Sequence, residues 1–211
     1  EYELRYVFPP EELEGYHPLW INRHFLEVSE YKNGKLTVGD AEFSMLYIDV
    51  KYMDVRALRR VFELAKMGLP ICLKGNPLEP GKQKSKDYKN VLDSLNSLKN
   101  VSKEFRQIAK HSPLISGDKI PEYWCRVGDQ GEHYIFMAQP LAKNLKYPIY
   151  SGQSSMDTSI YIPLKIRIKK KIYNEIIEFK PYQSVLLKIS PAGKLEYLNI
   201  DFIPKNPIVK P

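Results

Sequence analysis

Two kinds of hydrophobic pattern divide this chain near Pro113. Before that residue, short continuous apolar runs are separated by segments with helical periodicity, and after it hydrophobic and polar residues alternate at every second position. Continuous runs are typical of strands covered on both faces in a parallel sheet, whereas alternation is typical of strands with one face in water. The pattern predicts an α/β region followed by an antiparallel β region.

The clearest unit of the first region is a strand, a helix and a second strand. The run 43–48 predicts the first strand and Ile71–Leu73 predicts the second. Between them, apolar residues spaced by three and four positions predict a helix that Asp54 caps and Gly68 ends. A second helix is predicted over residues 87–98.

The second region begins with a predicted hairpin over residues 123–138, around a turn at 128–131. Residues 140–157 are rich in Pro, Ser and Gly, and they predict a long irregular connection. Further extended segments are predicted at 159–168, 174–179, 183–190 and 195–203.

These elements predict the fold class and the domain division. The first domain, residues 1–116, is expected to be an open Rossmann- or flavodoxin-like (amidotransferase-like) α/β layer. The second domain, residues 117–211, is expected to be antiparallel, β-rich and sandwich-like.

Composition excludes two classes of protein. The chain has 211 residues, of which 43% are hydrophobic and 12% aromatic, and this is enough apolar surface to exclude a disordered chain. No apolar stretch approaches the roughly 20 residues that cross a bilayer, so no membrane span is predicted. Because the chain starts at Glu1 without a recognisable targeting segment, we expect it to be a piece of a longer polypeptide.

A net charge of +7 raises the question of a polyanionic partner. The basic excess is spread along the chain, and its densest block, residues 167–171, continues the alternation of a half-buried strand. We therefore predict that these lysines lie on a solvated face or at a strand end. A basic nucleic-acid-binding module is one of three functional hypotheses for this chain, and it ranks last. Because the positive charge is not concentrated in one stripe, no nucleic-acid partner is expected.

A search for catalytic residues leaves one hypothesis in which this chain is itself an enzyme. The turn at 49–54 has no glycine and no phosphate-binding motif occurs elsewhere, so no cofactor is expected. Cys72 lies inside an apolar strand, which predicts a buried and inert thiol. Asp49 lies at the carboxyl end of a predicted strand, where α/β folds often place functional groups. The alternative hypothesis is a stand-alone flavodoxin-like or amidotransferase-like hydrolase that uses Cys72 or Asp49.

Metal-ligand spacing is absent from the sequence, because the histidines and cysteines lie far apart. Large aromatic side chains, in contrast, are frequent, and such side chains stack on sugars or anchor interfaces. Trp124 is a candidate for a sugar platform. The candidates for an interface or for sugar contact are Tyr16, Trp20, Phe25, Tyr147, Tyr150 and Tyr161.

Several stretches, in order along the chain, resemble the region near the C-terminal end of large bacterial glycoside hydrolases of the α-L-rhamnosidase type. The resemblance covers roughly residues 15 to 190, with His17 and Gln139 replacing the usual Asp and Asn. The matching stretches are GYHPLWIN (15–22), NGKL (33–36), MLYIDV (45–50), AKMGLPI (65–71), LNSLKNV (95–101), YWCRVGD (123–129), YIFMA (134–138) and FKPYQSVLL (179–187).

The resemblance implies a non-catalytic accessory region of a multidomain glycoside hydrolase, which packs against an upstream catalytic barrel and acts in carbohydrate metabolism. The acidic residues with which such enzymes cleave glycosidic bonds lie in that barrel, so no catalytic residue is carried over to this chain. Possible carbohydrate contact and a periplasmic or extracellular location are further implications. The chain by itself is expected to have no glycosidase activity.

Overall fold

A computed structural model of the chain describes residues 9–140 and 158–198. Their fold is mixed helix and sheet, and the described sheets are open rather than closed into a barrel. The chain divides into two compact units. We call residues 19–112 the α/β unit, and residues 1–18 together with 113–211 the β unit.

The α/β unit contains an antiparallel meander and a parallel sheet, each of three strands. Its elements are α1 (Arg23–Val28), β1 (Glu30–Lys32), β2 (Lys35–Val38), β3 (Ala41–Phe43), β4 (Leu46–Ile48), α2 (Val55–Lys66), β5 (Ile71–Leu73), α3 (Tyr88–Asn96), β6 (Val101–Ser102) and α4 (Phe105–Ile108). The meander has the order β1-β2-β3 and the parallel sheet the order β4-β5-β6.

Helix α2 forms as the sequence predicts. The Asp54 carboxylate accepts hydrogen bonds from the backbone N–H groups of Arg56 (2.8 Å) and Ala57 (3.0 Å), two donors that have no partner within the helix. Gly68 follows the last turn with φ of 99°, a left-handed conformation that favours glycine. The apolar face of the helix is buried in the core of the unit through Leu58, Val61, Leu64 and Ala65.

The prediction of one continuous strand over residues 43–48 is wrong. Phe43 ends β3, where it pairs antiparallel with Leu36, and Leu46 begins β4, which pairs parallel with β5. Ser44 and Met45 lie between the two strands. An apolar run satisfies burial in either sheet, so hydrophobicity alone does not mark where the chain leaves one sheet for the next.

The predicted β-α-β unit is confirmed by the parallel pairing of β4 with β5. The described strands lie side by side in chain order, and the connecting helices α2 and α3 contact each other. A doubly wound sheet opens its ligand crevice where the strand order reverses. The described part of this sheet has no such reversal.

The described part of the β unit contains two open antiparallel sheets whose inner faces share one hydrophobic core. A short 3₁₀ helix (Glu11–Leu13) precedes its strands. The strands are β7 (Ile115–Ser116), β8 (Tyr123–Val127), β9 (His133–Met137), β10 (Ile160–Ile168), β11 (Lys171–Phe179), β12 (Val185–Ile189) and β13 (Leu195–Tyr197). Their orders are β11-β10-β7 in one sheet and β13-β12-β9-β8 in the other.

The alternation predicted for this region is confirmed in the hairpins β8–β9 and β10–β11. Strand β11, however, begins at Lys171, three residues before the predicted segment 174–179. A turn of two residues, Lys169 and Lys170, joins it directly to β10, and Lys169 adopts φ of 54°. The lysines of this block are exposed at a hairpin end, as predicted.

Residues 9–18 belong to the β unit, although the sequence division groups them with residues 19–112. The Gly15 carbonyl oxygen accepts hydrogen bonds from the Ile115 backbone N–H (3.2 Å) and from the Tyr123 hydroxyl (2.7 Å). These bonds attach the segment to β7 and β8. Among the described residues, no helix combines the length and the hydropathy that a membrane span requires.

Candidate binding surfaces

The α/β unit exposes two of the six aromatic candidates. Trp20 is 77% exposed and lies three residues before the first residue of the short helix α1, which carries Phe25. The Asn22 side-chain oxygen accepts a hydrogen bond from the Phe25 backbone N–H (3.1 Å), so this side chain caps the helix. Leu19 and Val28 are exposed as well, and the segment 19–28 therefore presents a run of apolar side chains to water.

The β unit contains two further candidates, on different elements. Tyr16 is half-buried, which raises the pKa of its hydroxyl, and its carbonyl oxygen accepts a hydrogen bond from the Tyr123 hydroxyl (2.7 Å). Tyr161 is exposed on β10, and its hydroxyl donates to the Glu178 carboxylate (3.2 Å), which raises the pKa of Tyr161. Tyr147 and Tyr150 lie outside the described residues. The described candidates are thus divided between the two units.

A more compact group of aromatic residues lies on the outward side of the four-stranded sheet. Strand register places Trp124 opposite Phe136, and Phe136 opposite Leu186. Trp124 is 51% exposed and Phe136 is 43% exposed, whereas their neighbours along the strands, Tyr123, Cys125, Ile135 and Met137, belong to the core or pack against it. We call this surface the aromatic face. It consists of Trp124, Arg126, Tyr134, Phe136, Leu186 and Lys188.

Cationic side chains lie over the rings of the aromatic face. The Arg126 guanidinium carbon lies 5.2 Å from the centroid of the Trp124 ring, and the Lys188 ammonium lies 5.6 Å from that of Tyr134. Both distances are within the range of cation–π attraction. Two cations thus border an apolar row of Trp, Phe and Leu, which is the composition of an interface centre with a polar rim.

His17 packs against the edge of the same surface. Its ring makes a T-shaped contact with Trp124, with the centroids 5.2 Å apart. Burial and the nearby Arg126 charge lower the pKa of His17 below its ordinary value, so the ring is neutral at pH 7. A neutral imidazole adds aromatic surface without adding a third positive charge.

Sequence analysis recognised Trp124 but missed Phe136, Tyr134 and the two cations. The signal that identifies them is the hairpin register, because β8 and β9 pair one to one across the turn at 128–131. Residues of like parity on the two strands share a face. Trp124 and Phe136 are therefore direct neighbours, although eleven residues lie between them in sequence.

The two residues of the hydrolase hypothesis differ in accessibility. Cys72 is completely buried in β5, as predicted, and its Sγ lies 3.7 Å from the Lys103 carbonyl oxygen. A thiol in this position is not accessible to a substrate, which removes it from that hypothesis. Asp49 is exposed directly after β4. The described residues contain no cluster of three or more His, Cys, Asp or Glu side chains that would hold a metal ion.

A polar cleft of about 380 Å³ lies at the carboxyl ends of β5 and β6. It is lined by Asn76, Asn96, Val101, Ser102 and Lys103. The Asn96 amide nitrogen donates to the Asn76 side-chain oxygen (3.1 Å), and the Ser102 hydroxyl donates to Gln107 (2.9 Å). Much of the polar lining of this cleft is therefore engaged within the protein itself.

Comparison of the chain with protein-family models, with curated proteins and with solved structures gave no significant match. The functional argument therefore depends on the surfaces of the chain. The aromatic face of the β unit combines exposed aromatic rings with two cations.

Proposed function

We propose that this chain is a non-catalytic accessory region of a glycoside hydrolase of the α-L-rhamnosidase type, which packs against a catalytic barrel located upstream in the same polypeptide. The observation that carries the proposal is the aromatic face. It presents an apolar row to water on the outward side of a sheet whose inward side already fills a core.

An outward sheet face in a self-sufficient domain is typically polar, because only the inward face has a core to join. Here the outward row contains Trp124 and Phe136, both about half exposed, and Leu186. Contiguous exposed apolar patches mark interaction sites, and aromatic residues and arginine are enriched at interface centres. Packing against a further domain removes this row from water.

The segment 19–28 supports the same proposal from the α/β unit. Its exposed Trp20 and Phe25 belong to the stretch GYHPLWIN and the residues that follow it, where the resemblance to the rhamnosidase type begins. Interfaces between domains of one chain typically bury about 600–1,500 Å². The exposed Trp20 and Phe25 are thus candidates for burial against a neighbouring domain.

The finer part of the fold prediction belongs to this proposal. We propose that the α/β unit is a Rossmann- or flavodoxin-like layer of the accessory region. The alternation β4-α2-β5-α3-β6 with parallel pairing supports it. The described parallel sheet has the order β4-β5-β6, without the reversal of strand order that defines a doubly wound sheet.

The test is to read the coding sequence around this chain and to assay the polypeptide that it encodes. The proposal expects an upstream catalytic domain, hydrolysis of an aryl α-L-rhamnoside by the long polypeptide, and no hydrolysis by this chain alone. A reading frame without a further domain would overturn the proposal. Hydrolysis by this chain that disappears when Asp49 is replaced by Asn would favour the hydrolase alternative instead.

A further inference from the structure

The lysine block that the sequence singles out surrounds a cavity in the β unit. The cavity has a volume of about 210 Å³ and lies at one end of the two-sheet core. Three chain reversals meet there: the β8–β9 turn, the β10–β11 turn and the β12–β13 turn. The first contributes Gly131, the second Lys169 and Lys170, and the third residues 190–193.

The lining of this cavity is cationic. It includes Lys169, Lys170, Lys171 and His133, and none of the described residues that line it is acidic. Lys169 and Lys170 are exposed and form no ion pair within the described parts of the chain. Burial and the charge of Lys169 lower the pKa of His133, so its ring is neutral at pH 7. Three like charges around one small cavity are complementary to an anion.

Lys171 and Tyr173 fix one wall of the cavity. The Lys171 ammonium and the Tyr173 hydroxyl both donate to the Gly193 carbonyl oxygen, at 2.6 Å and 3.0 Å. Gly193 adopts φ of 81°, and a Cβ atom at this position would lie about 3 Å from both donors. The hydrogen bonds thereby connect the β12–β13 turn to β11.

The floor of the cavity is apolar. It consists of the buried Ile168 and Ile189, and the exposed Pro191 and Ala192 add apolar surface to the lining. A free inorganic anion gains nothing from such a floor. A sugar that carries a carboxylate or a sulfate presents C–H groups on one ring face and a charge at its edge, and this combination matches an apolar floor with a cationic rim. The volume is below the roughly 300–1,000 Å³ of pockets for drug-sized ligands, so it fits one sugar unit.

We propose that this cavity binds a single anionic sugar unit, with Lys169 and Lys170 contacting the acidic group and the apolar floor contacting the ring. The choice of a sugar rests on the proposed function, whereas the choice of an anion rests on the charges that line the cavity. The site is distinct from the aromatic face, which is assigned to domain packing.

The test is a titration of the full 211-residue chain followed by amide chemical shifts, with Gly131 and Gly193 as reporters of the cavity. The probes are methyl β-D-glucuronide, glucose 6-sulfate, neutral methyl β-D-glucoside and inorganic sulfate. We expect the two anionic sugars to shift both reporters, and the neutral sugar and inorganic sulfate to bind about tenfold more weakly or not at all.

The variant that tests the site is Lys169→Asn with Lys170→Gln. Asparagine adopts the positive φ of position 169 more readily than other non-glycine residues, so the hairpin is expected to be retained. The matched control is Lys165→Gln, an exposed lysine on β10, the strand that precedes this turn, and it does not line the cavity. We expect the double variant to weaken binding by about tenfold and the control to leave it unchanged.

Each other outcome overturns a named part of the inference. Equal binding of the neutral sugar contradicts an anion site, and equal binding of inorganic sulfate contradicts a sugar site. Absence of reporter shifts, or a double variant that binds like the unchanged chain, contradicts the cavity as the location. A failure of the proposed function is recognised separately, from the coding sequence and the rhamnoside assay.

Discussion

The two units of this chain bury their apolar residues in opposite ways. In the α/β unit the strands of the parallel sheet have at most three residues, β5 is buried at every position, and helices supply much of the core. In the β unit β10 and β11 have nine residues each, and side chains of β10 alternate between core and solvent. A sheet that buries one face leaves the other free for recognition, and both proposed sites lie in the β unit.

The units also differ in continuity along the chain. The α/β unit is one continuous segment, whereas the described β unit combines residues 9–18 with residues after 112. Hydrogen bonds from Ile115 and Tyr123 to the Gly15 carbonyl oxygen connect these two parts of the chain. Contacts between residues far apart in sequence cost loop-closure entropy before they contribute stability. We therefore expect single substitutions in the segment 9–18 to lower the stability of the β unit, because this segment has to pair with residues far away in sequence.

The largest effect is expected from truncating the core of the β unit. Phe179 is completely buried in β11, and Phe179→Ala is expected to lower the free energy of unfolding of this unit by about 3–5 kcal/mol. Hydrogen exchange of assigned amides during urea unfolding measures each unit separately. Ile176→Ala, on the exposed face of the same strand, is the control and should change stability by about 0.5 kcal/mol or less. Equal loss of protection in both units would show that they unfold as one.

A somewhat smaller effect is expected at the closure between the N-terminal segment and β7. Gly15 has φ of 79°, and a Cβ atom built there would lie 1.8 Å from the Ile115 carbonyl oxygen. We expect Gly15→Ala to destabilise the β unit by about 2–4 kcal/mol, because the backbone has to move away from the clash.

Gly131→Ala separates that clash from the cost of positive φ. Gly131 has φ of 82° and open space around it, so its substitution should cost only about 1–2 kcal/mol. Thermal unfolding of the two variants side by side measures the difference. Equal destabilisation would mean that the contact of Gly15 with Ile115 contributes nothing.

A third and weaker effect concerns the α/β unit. Removing the helix cap with Asp54→Ala is expected to cost about 1 kcal/mol, and Asp54→Asn should retain most of the capping. Hydrogen bonds from the Ala57 and Arg56 backbone and from Arg23 lower the pKa of Asp54.

The sign of the pH dependence follows from that lowered pKa. The folded state stabilises the ionised carboxylate, so its contribution is complete above the unfolded pKa of about 4 and is lost as pH falls through the folded value. Urea unfolding of the α/β unit at neutral and acidic pH should show this loss in the unchanged chain and not in Asp54→Asn. An equal acid dependence in both proteins would assign the effect to other carboxylates.

The smallest effect on stability is expected on the aromatic face. Trp124→Ala with Phe136→Ala removes exposed surface rather than core, so the unfolding free energy of this chain should change by about 1 kcal/mol or less. A thermal melt measures it. A much larger loss would mean that these rings stabilise the β unit itself and are not reserved for a partner.

Local signals in the sequence were sufficient for much of the fold. Helix α2 follows from its apolar spacing, the Asp54 cap and Gly68, and the hairpin β8–β9 follows from alternation on either side of a glycine-containing turn. The change of sheet at Ser44 had no such signal, because apolar residues continue on both sides of it. The sequence predicted a break after residue 168 but not that the turn has only two residues, since lysine is not a residue that predicts positive φ.

The candidate sites depended on register, which single residues do not reveal. Trp124 was recognised as a large aromatic residue, but its pairing with Phe136 follows from the closed hairpin. The cationic cavity required three separate turns to meet at one end of the core. Charge patterning placed Lys169 and Lys170 correctly at a strand end. It contained no information about the apolar part of the lining, which Ile168, Ile189, Pro191 and Ala192 contribute.

The most direct test of the central claim compares the thermal stability of the long polypeptide with that of this chain, each with and without Trp124→Ala and Phe136→Ala. If the aromatic face packs against a catalytic barrel, the double substitution lowers the melting temperature of the long polypeptide by several degrees, because it removes interface contacts, and leaves this chain nearly unchanged. An equal and small change in both proteins would show that the face remains in water in the long polypeptide, and would contradict the account.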